Sequence, residues 1–151
     1  MRLVIGAAAG VALAMVVLTP VSSARQSGKG SITVVITGLR NSDGRVYVSL
    51  YDREDGFPKE ARAIRKTASL DPEGKREVTA VFEEMGHGEY AIAVLHDEDL
   101  NGDMTYRSLH RPKEGYCFSN NLRPKIRAPK WKKARFTLDG EGVTLTLKMI
   151  Y

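Results

Sequence analysis

Apolar side chains recur at every second position in five separate stretches of this 151-residue chain. That period confines each stretch to a β-strand with one buried face, because a helix cannot align residues i, i+2 and i+4. Ile32, Val34 and Ile36 share a side, as do Val46, Val48 and Leu50. Val78, Ala80 and Phe82 repeat the pattern, followed by Tyr90, Ile92 and Val94. In the last stretch Val143, Leu145, Leu147 and Met149 oppose Thr144, Thr146 and Lys148. A shorter strand is expected over 135–138, joined to the last by Asp139-Gly140-Glu141-Gly142. Asn41-Ser42-Asp43-Gly44 predicts a tight hairpin across 32–51, since glycine accepts positive φ. Gly86-His87-Gly88 predicts a second across 78–96. Residues 56–69 break the period and suggest a short helical turn followed by a strand through Ala68. About seven strands imply a single antiparallel β-sandwich, immunoglobulin-like or prealbumin-like, with a closed barrel as the rival.

The chain begins with the three parts of a secretory signal peptide. Arg2 supplies a positive start, Leu3 to Leu18 is free of polar side chains, and Ser22-Ser23-Ala24 offers small residues for cleavage. The apolar run covers 16 residues (3 to 18), short of the ~20 that a spanning helix needs. The expected organisation is therefore a signal peptide over 1–24, a flexible leader over 25–30 and a β-sandwich domain over 31–151. Removing 24 residues from 151 leaves 127, one ordinary domain. The expected location is outside the cytoplasm, periplasmic or secreted, and not as an integral membrane protein after cleavage. Cys117 is the single cysteine. It cannot form a disulfide within the chain, so it is either buried or paired with another chain.

Between Glu98 and Lys130 no convincing strand or helix is expected, which places a long loop between the penultimate hairpins. Loops of this length in small domains commonly carry function. The segment opens where a strand ends, on His96-Asp97-Glu98-Asp99-Leu100-Asn101-Gly102-Asp103. Asp-x-Asp-x-Asn-Gly matches the first half of a calcium loop: oxygens at alternate positions converge on a hard cation, and glycine permits the wrap. The second half departs, with Ser108 at the twelfth position and no flanking helices. Asp97, Asp99, Asn101, Asp103 and a more distant Glu114 are the candidate ligands for calcium. The alternative is an Asx-rich turn with solvated charges.

Charge then inverts. Residues 104–135 hold ten Lys or Arg and one acid, Glu114. This basic block suits either internal docking on the acidic loop in place of a cation, or an anionic envelope lipid or polysaccharide. No nucleic-acid motif accompanies it, which sets nucleic acid aside. Tyr116 and Phe118 are expected to pin the loop, with Ser119, Asn120 and Asn121 capping exposed backbone groups. Trp131 stands where the next strand is expected to start, in core or edge packing, with sugar stacking as the alternative.

Three motifs carry a resemblance: Tyr90-Ala91 through His96-Asp97, the Asp97–Gly102 loop, and Pro112 through Asn121. With Leu50-Tyr51-Asp52 and Gly56-Phe57-Pro58, they make residues 32–151 resemble the bacterial family called domain of unknown function 2141. The resemblance implies an exported β-sandwich and no particular activity. Asp99 stands where the family commonly has Asn, Thr105 where a further Asp is usual, and Cys117 where Gly is expected. The second departure removes a carboxylate.

The first expectation for function is a non-enzymatic cell-envelope module, binding or structural, with its working face on the 97–121 loop. The second is a calcium-stabilised domain that binds anionic envelope polymer or carbohydrate. The third is a hydrolase using Cys117 or Ser119, with His96 or His110 as base and Asp97 to orient it. No nucleophile elbow or zinc motif supports the third.

Overall fold

The computed structural model describes residues 28–58, 64–70, 72–125 and 127–151, with only the backbone described at 64–70 and at His110. The signal peptide, the first part of the leader and the helical turn expected around 59–63 lie outside these residues. Among the described residues strands take 50% and helix 8%, and no barrel closes, so the fold is all-β.

The strands are β1 (Lys29–Thr37), β2 (Arg45–Tyr51), β3 (Ile64–Leu70), β4 (Glu77–Gly86), β5 (Gly88–Asp97), β6 (Tyr106–Arg107), β7 (Arg111–Pro112), β8 (Gly115–Phe118), β9 (Phe136–Leu138) and β10 (Gly142–Lys148). One helical turn, α1 (Trp131–Ala134), precedes β9. The first sheet has the order β10-β1-β4 and the second β3-β2-β5-β8, with β9 also paired to β5. A two-residue ribbon, β6–β7, stands apart. Among the described residues no helix is long and apolar enough to cross a membrane.

The alternating residues point inward as their period predicts. Ile32, Val34 and Ile36 of β1 join Val46, Val48 and Leu50 of β2, Ile92 and Val94 of β5 and Leu147 of β10 in one core cluster. Each fully buried aliphatic side chain contributes about 1.5–3 kcal/mol, which is why one face of each strand must turn inward.

The pairings differ from the expected hairpins. β1 does not pair β2; it lies between β4 and β10, while β2 lies between β3 and β5. Likewise β4 and β5 occupy different sheets. Both turns carry the chain across the core rather than back along its neighbour. An alternating strand is satisfied by any neighbour that keeps its apolar face inward, so periodicity leaves the pairing open. The β1–β10 pair is parallel, with Val34 opposite Leu145, so the sheets are not antiparallel throughout. The strand expected after residue 56 is present as β3, antiparallel to β2.

Two further differences concern the long loop. It contains β6, β7 and β8, and Trp131 opens α1 rather than a strand, while the strand expected over 135–138 is present as β9. Gly115–Phe118 was overlooked because its side chains are nearly all buried, which gives an apolar run without alternation. A second cluster covers the outer face of β2 and β5, where Tyr51, Ala91, Trp131 and Ala134 pack together. Phe57 is its hub, with ring centroids 5.1 Å from Tyr51 and 5.9 Å from Trp131. Trp131 is buried there, which removes it as a sugar-stacking platform.

Candidate functional site

Three charged or ionisable side chains are almost fully buried at the far end of β5: His96, Asp97 and Glu114. Buried charge is costly without hydrogen bonds, so their partners define the local structure. Asp97 is the last residue of β5. Its Oδ1 accepts the Asn101 N–H at 3.2 Å and its Oδ2 accepts the Gly102 N–H at 2.8 Å. Glu114 stands between β7 and β8. Its Oε1 accepts the N–H groups of Glu98 at 2.8 Å and Asp99 at 3.3 Å, and its Oε2 accepts that of Thr105 at 2.9 Å. Five backbone donors of an otherwise irregular loop thus end on two carboxylates. Such charge-assisted bonds are stronger than neutral ones.

The exposed part of the loop continues the same logic. Asp99 accepts the Asn101 N–H at 3.3 Å and the Thr105 hydroxyl at 2.9 Å. Asn101 donates to the Thr105 oxygen at 2.7 Å and accepts the Asp103 N–H at 2.7 Å. Where the family pattern led us to expect a further acid, Thr105 supplies a donor. Oxygens of Asp97, Asp99 and Glu114 lie within 4.8 Å of one another. Asn101 and Asp103 instead join this turn through its backbone bonds.

Among the described residues no salt bridge joins the basic block to this loop. Glu98 is bound by Arg40, through Nε at 2.8 Å and through Nη2, and by Asn41 at 2.6 Å. Burial raises the Glu98 pKa, but the Arg40 and Asn41 hydrogen bonds and the Arg40 charge outweigh it and hold the carboxyl below its usual value. Arg40 also donates to the Lys113 carbonyl at 3.0 Å and lies over the Tyr151 ring at 4.5 Å. Sequence reasoning missed Arg40, Asn41 and Tyr151. The signal for Asn41 was the Asn41–Gly44 turn, read there as part of a hairpin; Arg40 and Tyr151 had none.

That turn is a wall of the site. Nε2 of His96 faces the Asp43 carbonyl at 2.8 Å, and a carbonyl only accepts, so Nε2 carries a hydrogen. Nδ1 lies 2.7 Å from the Tyr151 hydroxyl, which itself accepts the Arg40 N–H at 3.1 Å. Both ring nitrogens are therefore committed to structure.

The nucleophile candidates are committed as well. Ser119 is buried; its hydroxyl donates to the Ala134 carbonyl at 2.6 Å and accepts the Ile92 N–H at 3.0 Å. Cys117 is a free, buried thiol paired in register with Val94, and burial pushes its pKa up to about 12. A thiol this reluctant to ionise is a poor nucleophile at neutral pH. A Ser119 or Cys117 mechanism with His96 as base does not fit this arrangement. The side chain of His110 lies outside the described set.

Asn120 and Asn121 cap as expected, but across the fold. Both have left-handed backbones, with φ of 61° and 49°, a region asparagine enters more readily than most residues. Asn120 donates to the Lys133 and Arg135 carbonyls, at 2.9 and 3.1 Å. Asn121 donates to the Thr146 carbonyl and accepts the Lys148 N–H, each at 2.9 Å. Phe118 is buried and Tyr116 half-buried, with their rings 5.9 Å apart. Tyr116 also exchanges backbone bonds with Ile150 at 2.9 Å. These contacts pin the loop's second half to β10 and α1.

Five cations of the basic block sit at opposite ends of β5. Arg107, Arg111 and Lys113 sit on or beside the β6–β7 ribbon, next to the carboxylate frame. Lys132 and Lys133 sit on α1, which packs with Ala91. Ala91 and Asp97 are about 20 Å apart along an extended strand.

No curated protein and no solved structure matches the chain. Residues 34–146 match the family described as "Uncharacterized protein conserved in bacteria (DUF2141)". That span includes both carboxylate anchors and the Ser-Asn-Asn turn. Covering well over half of the sequence, the match shows that the chain belongs to this family of bacterial proteins.

Proposed function

We propose that the protein is an exported, non-enzymatic binding module of the cell envelope, with residues 97–121 as its working face. In this reading the two larger sheets form a β-sandwich scaffold, and the charged part of the face is built at the Asp97 end of β5. One observation carries the reading: Asp97 and Glu114 hold five loop N–H groups from buried positions. A loop ordered before it meets a partner loses less entropy on binding. The exposed rim carries Arg107 and Arg111, in keeping with an anionic envelope partner.

The test uses isolated envelope fractions and the protein as purified from cells. Reversing charge with Arg111→Glu and Lys113→Glu is expected to weaken envelope binding by roughly tenfold or more, with a steep salt dependence. Lys132→Glu with Lys133→Glu, at the other end of β5, is expected to leave binding nearly unchanged. Equal loss in both pairs rejects the 97–121 face.

A second reading is a calcium-stabilised domain. Its ligands would be Asp97, Asp99 and Glu114, whose oxygens lie within 4.8 Å of one another, with water completing an oxygen shell. Calcium at a hundred times its dissociation constant stabilises a fold by about 2.7 kcal/mol. The melting midpoint in millimolar calcium is then higher than in chelator by several degrees. An unchanged midpoint removes calcium from the account.

A further inference from the structure

Tyr106 to Pro112 form a small finger. Tyr106 pairs with Pro112 and Arg107 with Arg111, and Ser108, Leu109 and His110 make the tip. Its base is fixed, because Lys113 N–H donates to the Thr105 carbonyl at 2.8 Å and Thr105 N–H donates to Glu114. It exposes two apolar side chains: Leu109 at the tip is 85% exposed and Tyr106 at the base 51%. Leu109 holds a left-handed backbone with φ 64° and ψ 29°. Glycine or asparagine would take that conformation with less strain.

The charges on the finger are equally unbalanced. Arg107 and Arg111 lie directly opposite each other, which disfavours the ribbon. Neither makes a hydrogen bond or ion pair with another side chain among the described residues, and residues 106–113 contain no acid. The exposed acids Asp99 and Asp103 belong to the preceding turn.

We infer that this finger docks on the surface of an anionic phospholipid bilayer. This rests on the 97–121 binding face proposed above and names its partner. An aliphatic tip between two arginines, with a tyrosine beside them, has the composition of a membrane interface: apolar atoms enter the acyl boundary while cations meet lipid phosphates. An acidic polysaccharide supplies the anions but no site for the leucine side chain. A folded protein partner needs a much wider contact than seven residues offer. A bilayer needs no complementary shape. Binding through one finger is reversible, because a short apolar tip is a weak anchor alone and gains from its cations.

The experiment is partition of the protein as purified from cells onto phosphatidylcholine vesicles with and without phosphatidylglycerol. The expected result is binding that requires phosphatidylglycerol and falls with salt. Arg107→Gln with Arg111→Gln is expected to weaken it roughly twentyfold, at about fivefold per cation. Leu109→Asn, which accepts the left-handed backbone, is expected to weaken it roughly fivefold while the melting midpoint holds. Wild-type partition that ignores phosphatidylglycerol, or variants that partition like wild type, overturn the inference. Should isolated envelopes depend on Arg111 and Lys113 while the vesicles fail, the binding face stands and the lipid partner falls. Failure of both sinks the two together.

Discussion

Replacing Glu114 by alanine lowers the melting midpoint by roughly 10 °C in thermal unfolding. The physical reason is the number of donors left behind. The N–H groups of Glu98, Asp99 and Thr105 all end on this one carboxylate. Alanine removes every acceptor and leaves a space that the loop must fill by moving. Hydrogen bonds to a charged group contribute about 1.5–3 kcal/mol each, but the freed amides regain water once the loop opens. The net cost is therefore about 3 kcal/mol rather than the sum. Glu114→Gln keeps one acceptor oxygen and is expected to cost about 2 kcal/mol. The core strands remain folded in both variants, because Glu114 lies outside the main apolar cluster. The loss is concentrated in residues 97–113.

The second large effect belongs to Gly44. Its φ is +66°, and a β-carbon there would lie 1.9 Å from the Asp97 carbonyl oxygen and 2.6 Å from the Glu98 α-carbon. Both obstacles are backbone, so no side-chain rotation relieves them. Gly44→Ala combines a left-handed penalty of about 1 kcal/mol with an overpacking cost of about 3 kcal/mol. The expected result is a total loss of about 4 kcal/mol in denaturant unfolding, with an unchanged slope. The turn is then displaced from Asp97, which pulls the Asp43 carbonyl from His96 and Asn41 from Glu98. A Gly44→Ala protein that melts with the wild type contradicts the close packing of the 40–44 turn on the acidic loop.

These two residues also mark what could be read in advance and what could not. The inward faces of β1, β2, β4 and β5 were legible, because burying one side of a strand imposes period two on Ile32, Val46, Val78 and Ile92. Their neighbours were not, since the same pattern is met in any sheet. Gly44 was identified as a positive-φ position, yet a hairpin and a crossing between sheets ask the same of a glycine. Asp97 and Asp99 were singled out as oxygen donors, and Glu114 as a distant partner, and the three do come together. What the acids bind was hidden. Arg40 precedes Glu98 by 58 positions, and nothing in local spacing links them. The Ser119 hydroxyl, a formal nucleophile in the sequence, was already taken by Ala134 and Ile92. Leu109 and Tyr106 drew no notice as sequence, because an apolar residue signals a surface only once its exposure is known.

In the proposed function, buried carboxylates order the 97–121 face before any partner arrives. Amide hydrogen exchange at Glu98, Asp99 and Thr105, in chelator and without lipid, addresses this most directly. Slow exchange is expected in the wild-type protein. In Glu114→Ala the same three amides are expected to exchange roughly a hundredfold faster, while Val48 and Val94 change far less. Fast exchange at all three amides in the wild-type protein would contradict this ordering.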